Sequence, residues 1–155
     1  IGRRAFSNCT SLTSIVIPDS VTSMGMSAFS NCSNLTAADV DGWVTKDTDS
    51  ISFMFLNCKK LETIDVSRWD TSGVKSMDNA FNGCSSVKEL DVSNWDTSSA
   101  TTFKSMFDGC KALQLLDVSN WDTSSVTDMG DMFSDCYALM ELDDRLCYEH
   151  ERYVL

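Results

Sequence analysis

The sequence predicts an α/β solenoid, a stack of strand-helix units with a parallel sheet on one face. Three observations lead there. The first is a phase-locked repeat. Cys32, Cys58, Cys84, Cys110 and Cys136 recur every 26 residues, and Cys9 precedes them by 23. Phe29, Phe55, Phe81, Phe107 and Phe133 keep the same step after Phe6, and so do Trp43, Trp69, Trp95 and Trp121. Fixed periods of this length mark repeat architectures. The second is alternation in the first half of each unit, where Leu116 and Val118 flank Asp117, the two-residue period of a strand. The third is the stripe Met129, Met132, Phe133, Cys136 in the second half, spaced like one face of a short helix.

Each element can be justified in turn. The strand is carried by Leu113, Leu116 and Val118, an L-x-x-L-x-V spacing. The helical stripe recurs as Phe103, Met106, Phe107, Cys110, as Met77, Ala80, Phe81, Cys84, and as Ile51, Met54, Phe55, Cys58. Thr127 and Asp128, or Ser105 one unit earlier, suit a helix start. The residue before each repeat cysteine is Asn8, Asn31, Asn57, Gly83, Gly109 or Asp135. These types tolerate a left-handed backbone, so a helix stop is expected there, turning the following Cys and Leu back into the core. A single unit cannot bury its own apolar face, but stacked units can. Their strands would lie parallel at roughly 4.8 Å.

Composition narrows the function. A chain of 155 residues is long enough for one domain with a real core. The formal net charge of -11, from 23 acidic and 12 basic side chains, argues against nucleic acid and against an anionic membrane surface. No apolar run is long enough to span a bilayer, so direct membrane insertion is not expected. His150 is the only histidine, and neither a nucleophile elbow nor a Gly-rich phosphate loop is present. An enzyme is not expected, nor a cofactor.

The spacing L-x-x-L-x-V-x-x-W resembles the leucine-rich repeat, with Trp in the place usually held by Asn or Cys. Residues 1–25, from Ile1 through Phe6, Cys9, Leu12 and Ile17 to Gly25, look like the repeat of BspA-like leucine-rich-repeat surface proteins. From Ala38 on, units carrying D-V-S-N-W-D-T-S-S-V-T-D-M and M-F-x-x-C resemble the related repeat of bacterial and mycoplasmal surface lipoproteins. The resemblance covers roughly residues 1–142. It implies a leucine-rich-repeat-like fold, a secreted or cell-surface setting, and adhesion or matrix binding; it supplies no catalytic residue. The expected organisation is a single repeat domain over 1–155. Within it, 1–37 are 23-residue units, 38–142 are 26-residue repeats, and 143–155 form an atypical C-terminal coil or cap. The segment 38–51 is degenerate, and a bend or a change of cross-section is expected near it.

The side chains of the repeat have bland and sharp readings. The repeat cysteines lack the close pairing of zinc sites and are expected as a reduced, buried ladder. Cys147 either pairs with Cys136 or packs in the tail. The tryptophans are expected in the core, the alternative being an exposed platform for sugars. Asp65, Asp91 and Asp117 should face outward in one column, and Asp70, Asp96 and Asp122 should open the following turn in another. The bland reading is a solvated face for the first and side-chain turn bonding for the second. The sharper readings are calcium, with Asp91, Asp96, Asp117 and Asp122 as candidate ligands, and a basic partner. Adjacent Thr71 and Ser72, with their counterparts, suit turn bonding better than a flat ice-binding face.

Two functions follow. The first is a non-catalytic binding module at the cell surface or outside the cell. It would recognise a protein, extracellular-matrix or glycan partner through Asp65, Asp91, Asp117, Lys88, Glu89 and Gln114 on the outward strand face. The second is a structural or scaffolding subunit within a large intracellular assembly, other subunits covering the solenoid ends.

Overall fold

In the computed structural model, which describes residues 1–18, 20–40 and 47–140, the chain winds into stacked coils. Strands β1 (Ser14–Val16), β2 (Ala37–Asp39) and β3 (Thr63–Ile64) form a parallel sheet in the order β1-β2-β3. The register aligns Ile15 with Ala38 and Ala38 with Ile64. Leu90 and Leu116 continue this buried column, and a parallel bridge links Glu89 to Leu115. A second line of parallel bridges joins Ser50, Ser76, Thr102 and Asp128.

The expected helices are not formed, and no helix occurs among the described residues. The stripe residues instead lie on stacked turns. Phe53 and Asn57 have φ of 59° and 58°, values that end any right-handed helix within a turn. The backbone donors then alternate between two kinds of partner. Met54 N–H and Cys58 N–H reach back to Ile51 O and Phe55 O. Ile51, Phe53, Phe55 and Asn57 donate instead to Ser76 O, Asp78 O, Ala80 O and Asn82 O of the next coil, at 2.7–3.1 Å. Two consecutive left-handed turns put positions i, i+3, i+4 and i+7 inward just as a helix would, which is why the stripe misleads. The inferred helix starts fall with the helices: Ser105 is itself left-handed at φ 50°, and Asp128 Oδ1 accepts from the Gly130 N–H.

Left-handed residues before the repeat cysteines are found as expected, with φ from 57° to 74° at Asn8, Asn31, Asn57, Gly83, Gly109 and Asp135. A second left-handed column lies four residues earlier at Arg4, Ser27, Phe53, Asn79, Ser105 and Asp131. Its members Arg4, Ser27, Phe53 and Ser105 gave no sign of it. Two glycines mark close approaches between coils. A Cβ on Gly83 would lie 2.6 Å from Asn57 Oδ1, and one on Gly25 would lie 2.3 Å from Arg3 N.

The core is built of ladders running along the stack. Phe6, Phe29, Phe55, Phe81, Phe107 and Phe133 stack with ring centroids 5.4–6.0 Å apart and planes within 12°. These are offset stacks, each worth ~0.5–1.5 kcal/mol beyond area burial. Trp69, Trp95 and Trp121 form a second ladder at 5.7 and 6.2 Å and are buried. The indole N–H of Trp95 donates to Val66 O, and that of Trp121 to Val92 O. Cys58, Cys84 and Cys110 are free, fully buried thiols donating to Phe29, Phe55 and Phe81 carbonyls at 3.2 Å. Buried Cys32 and half-buried Cys136 donate likewise to the Phe6 and Phe107 carbonyls, while Cys9 is exposed rather than part of the buried ladder.

The change of period leaves these ladders intact. Phe6–Phe29 and Phe29–Phe55 are both 5.4 Å apart, and the strand register continues from Ser14 through Ala37 to Thr63. Phe to the inward strand residue is the same interval in Phe6–Ile17, Phe29–Val40 and Phe55–Val66. The extra residues of the longer unit therefore fall between the strand and the next turns, the corner where Trp69, Trp95 and Trp121 sit. Trp43 and Val44 of the degenerate segment, Glu141, and the tail with Asp143, Cys147 and His150 lie outside the described residues.

Candidate functional site

The strand face is set by the pleat. Val66, Val92 and Val118 point into the core, so Asp65, Asp91 and Asp117 beside them are exposed. Lys88, Glu89 and Gln114 are also exposed, and Gln114 N–H donates to Lys88 O across coils. All six predicted face residues are exposed. The positions equivalent to Lys88 are Thr36, Glu62, Gln114 and Met140; those equivalent to Glu89 are Ala37, Thr63 and Leu115. Leu115 and Met140 are large apolar side chains left 50% and 70% exposed, as is Val16 of the first strand at 69%.

The aspartate column is not merely solvated. Asp65 Oδ1 accepts from both the N–H and the hydroxyl of Ser67, and Asp91 Oδ1 does the same with Ser93. Asp117 Oδ1 accepts the Ser119 N–H. The second column repeats the pattern: Asp70 with Ser72, Asp96 with Ser98, and Asp122 with the Ser124 N–H. Both columns thus make the same two-residue turns, where only the second was expected to. The serine hydroxyl and N–H hold the carboxyls of Asp65, Asp96 and Asp122 below the usual carboxylate range. One oxygen of each calcium candidate, Asp91, Asp96, Asp117 and Asp122, is thereby engaged in its own turn. Among the described residues no three His, Cys, Asp or Glu side chains are grouped to hold a metal ion.

The hydroxyl columns split by direction. Thr71, Thr97 and Thr123 are buried, and Thr71 and Thr97 donate to the Asp96 and Asp122 carbonyls of the following coil. Ser72, Ser98 and Ser124 are exposed. The pair therefore ties coils together and presents no flat hydroxyl face.

The interior is chemically quiet. Burial pushes the Cys58 thiol up to about 12, and those of Cys84 and Cys110 also rise, so these sulfurs are packing groups rather than nucleophiles. On the turn face, partial burial, with repulsion from Asp135 and Asp131, raises Asp108, although Asn82 Nδ2 donates to it. No helix of the described residues is long and apolar enough to cross a membrane.

The sequence reading missed the turn face. A trough opens there among the first coils, lined by Arg3, Arg4, Ser27, Ser30, Phe53 and Leu56 with their neighbours. Its signal was present in the chain: segments 2–9, 25–32 and 51–58 contain no carboxylate.

The coil architecture has solved counterparts. A leucine-rich repeat protein from Eubacterium ventriosum superposes with a TM-score of 0.62 at 20% identity, over 92% of this chain and 35% of the other. The T. pallidum leucine-rich repeat protein gives 0.55 at 20% identity, over 96% and 75%. A leucine-rich cell surface protein from Faecalibacterium prausnitzii gives 0.54 at 26% identity, over 92% and 33%. The chain thus spans about a third of the first and third of these proteins and three quarters of the second. The fold is leucine-rich-repeat-like with a parallel sheet, and its specific geometry in this chain is strand and stacked turn. No functionally curated protein is significantly similar in sequence. Over residues 22–143 the sequence matches the family described as Mycoplasma protein of unknown function, DUF285, and the chain belongs to that family.

Proposed function

We propose that this chain is a BspA-like binding module of the cell surface, adhering to a protein, matrix or glycan partner through its strand face. The whole of 1–155 acts as one repeat domain. The observation that carries the reading is a division of labour between columns. Buried positions repeat nearly unchanged, as in the Phe, Trp and Cys ladders. Two outward columns differ from coil to coil, Glu62, Lys88 and Gln114 in one and Thr63, Glu89 and Leu115 in the next, while the exposed Asp columns repeat to make their turns. Packing explains the first set. The second is what a specific contact surface needs, a non-repeating pattern on a rigid scaffold. Leu115 supplies an exposed apolar group beside charged ones, a usual composition for a contact surface. The likeness to a cell surface protein from F. prausnitzii supports the location.

The test is a binding screen of the intact chain against matrix proteins and glycans, followed by Lys88→Glu, Glu89→Lys and Leu115→Asp. Binding that falls roughly tenfold or more in two of these variants, with melting temperature unchanged, supports the strand face. Binding that all three leave intact refutes it. A partner that copurifies stoichiometrically and survives high salt would favour the scaffolding role instead.

A further inference from the structure

The turn face of the first coils differs in charge from the rest of the molecule. In a chain of net charge -11, segments 2–9, 25–32 and 51–58 carry only Arg3 and Arg4 as charged residues. Later coils carry Asp78, Asp108, Asp131 and Asp135, with Lys104 as their one cation, in the corresponding turns. The trough at this place has a volume of about 390 Å³. Its shape follows from the columns. Buried Ser27 and Ser30 of the middle coil form the floor. Exposed Arg3 and Arg4 stand on the preceding coil, and half-buried Phe53 and Leu56 on the following one. Two coil steps of ~4.8 Å put the flanking backbones roughly 10 Å apart, room for one saturated ring between the walls.

The main chain of the trough is already committed. Arg4 N–H donates to Met26 O, Ser27 N–H to Ser52 O and Asn31 N–H to Leu56 O. A peptide cannot be added here as an extra strand, so recognition falls to side chains. Arg4, Ser27 and Phe53 all have left-handed φ, at 59°, 62° and 59°. For phenylalanine this backbone is costly, and the later coils place Asn79, Ser105 and Asp131 in the same column. Every described coil is left-handed at this column, and Phe53 is its one aromatic member, placed where it lines the trough.

We infer that the trough binds a carboxylated sugar. The guanidinium groups of Arg3 and Arg4 take the carboxylate. The Ser27 and Ser30 hydroxyls meet ring hydroxyls, and Phe53 and Leu56 cover the apolar C–H face of the ring. This site is separate from the strand face and rests on no part of its reading.

The full chain, isotopically labelled, is titrated with glucuronic acid and N-acetylneuraminic acid, and in parallel with glucose and inorganic phosphate, while amide shifts are followed by NMR. The expected result is that the sugar acids shift Arg4, Ser27, Ser30 and Phe53, with glucose and phosphate binding at least roughly tenfold more weakly. Arg4→Gly and Phe53→Asn keep the left-handed backbone accessible, so each should weaken binding roughly tenfold or more with melting temperature unchanged or raised. Arg3→Ala, outside the left-handed column, should give a comparable loss. Three results overturn the inference: no shift in the trough with either sugar acid, phosphate binding as tightly as the sugar acids, or variants that bind like the parent.

Discussion

Thr48 occupies the register of Val74, Ala100 and Val126, a column otherwise closed by apolar side chains. Its hydroxyl oxygen is buried with no hydrogen-bond partner among the described residues. Replacement by the isosteric valine removes that desolvation cost without changing volume. Thr48→Val should therefore stabilise the fold by about 1–2 kcal/mol, read from denaturant midpoints. Asp108 carries the opposite kind of misfit, a carboxyl raised by partial burial and by Asp135 and Asp131. A carboxyl whose folded pKa is raised penalises the folded state at neutral pH, and the penalty lifts as pH falls through that raised value. Asp108→Asn should raise the melting temperature at neutral pH and lose that advantage progressively as pH falls through the raised value and below the ordinary carboxylate range. Asp65, Asp96 and Asp122 act with the other sign. Their serine partners lower them, so their contribution is complete above the ordinary carboxylate range and is lost as pH falls through the lowered values.

At the scale of elements, the phenylalanine ladder carries the turn face. Phe107 is fully buried and stacks on Phe81 and Phe133. Phe107→Ala should cost about 3–5 kcal/mol by leaving a cavity in the ladder, measured by chemical denaturation. The inward set Met106, Phe107, Cys110 and Leu113 could be read from spacing, the left-handed residue at Gly109 from its type, and the inward tryptophans from the slot they fill in the leucine-rich repeat they resemble. The form of the backbone between them could not. Helix and double turn bury the same positions, and what separates them is the left-handed residue at Ser105, whose side chain gives no warning. The donors show the same ambiguity: Phe107 N–H bonds to Met132 O in the next coil, a partner visible only once the coils are stacked. The outward direction of Asp91 and Asp117 was legible because each sits between two inward residues, whereas Lys88 and Glu89 are adjacent and both exposed, which a two-residue period does not give. The trough was not legible, because Arg4, Ser27 and Phe53 look unrelated until the coils bring them side by side.

For the whole molecule, stability resides between coils. Backbone bonds on the turn face, the Trp and Cys bonds to preceding carbonyls, and the Thr71 and Thr97 hydroxyls all link neighbours. Such a stack gains little from any coil in isolation and much from each added interface. A stack of this kind also explains how one fold can carry a varied strand face and a separate trough: the ladders and the aspartate turns bear the folding, and the remaining outward columns are free to differ. The claim on which this account depends is that the turn-face N–H groups serve the next coil and not a helix. It is most directly tested by through-hydrogen-bond scalar couplings measured by NMR on labelled protein. The account predicts couplings from Phe55 N–H to the Ala80 carbonyl and from Phe107 N–H to the Met132 carbonyl. Couplings from these amides to carbonyls four residues earlier, the pattern of an α-helix, would contradict it.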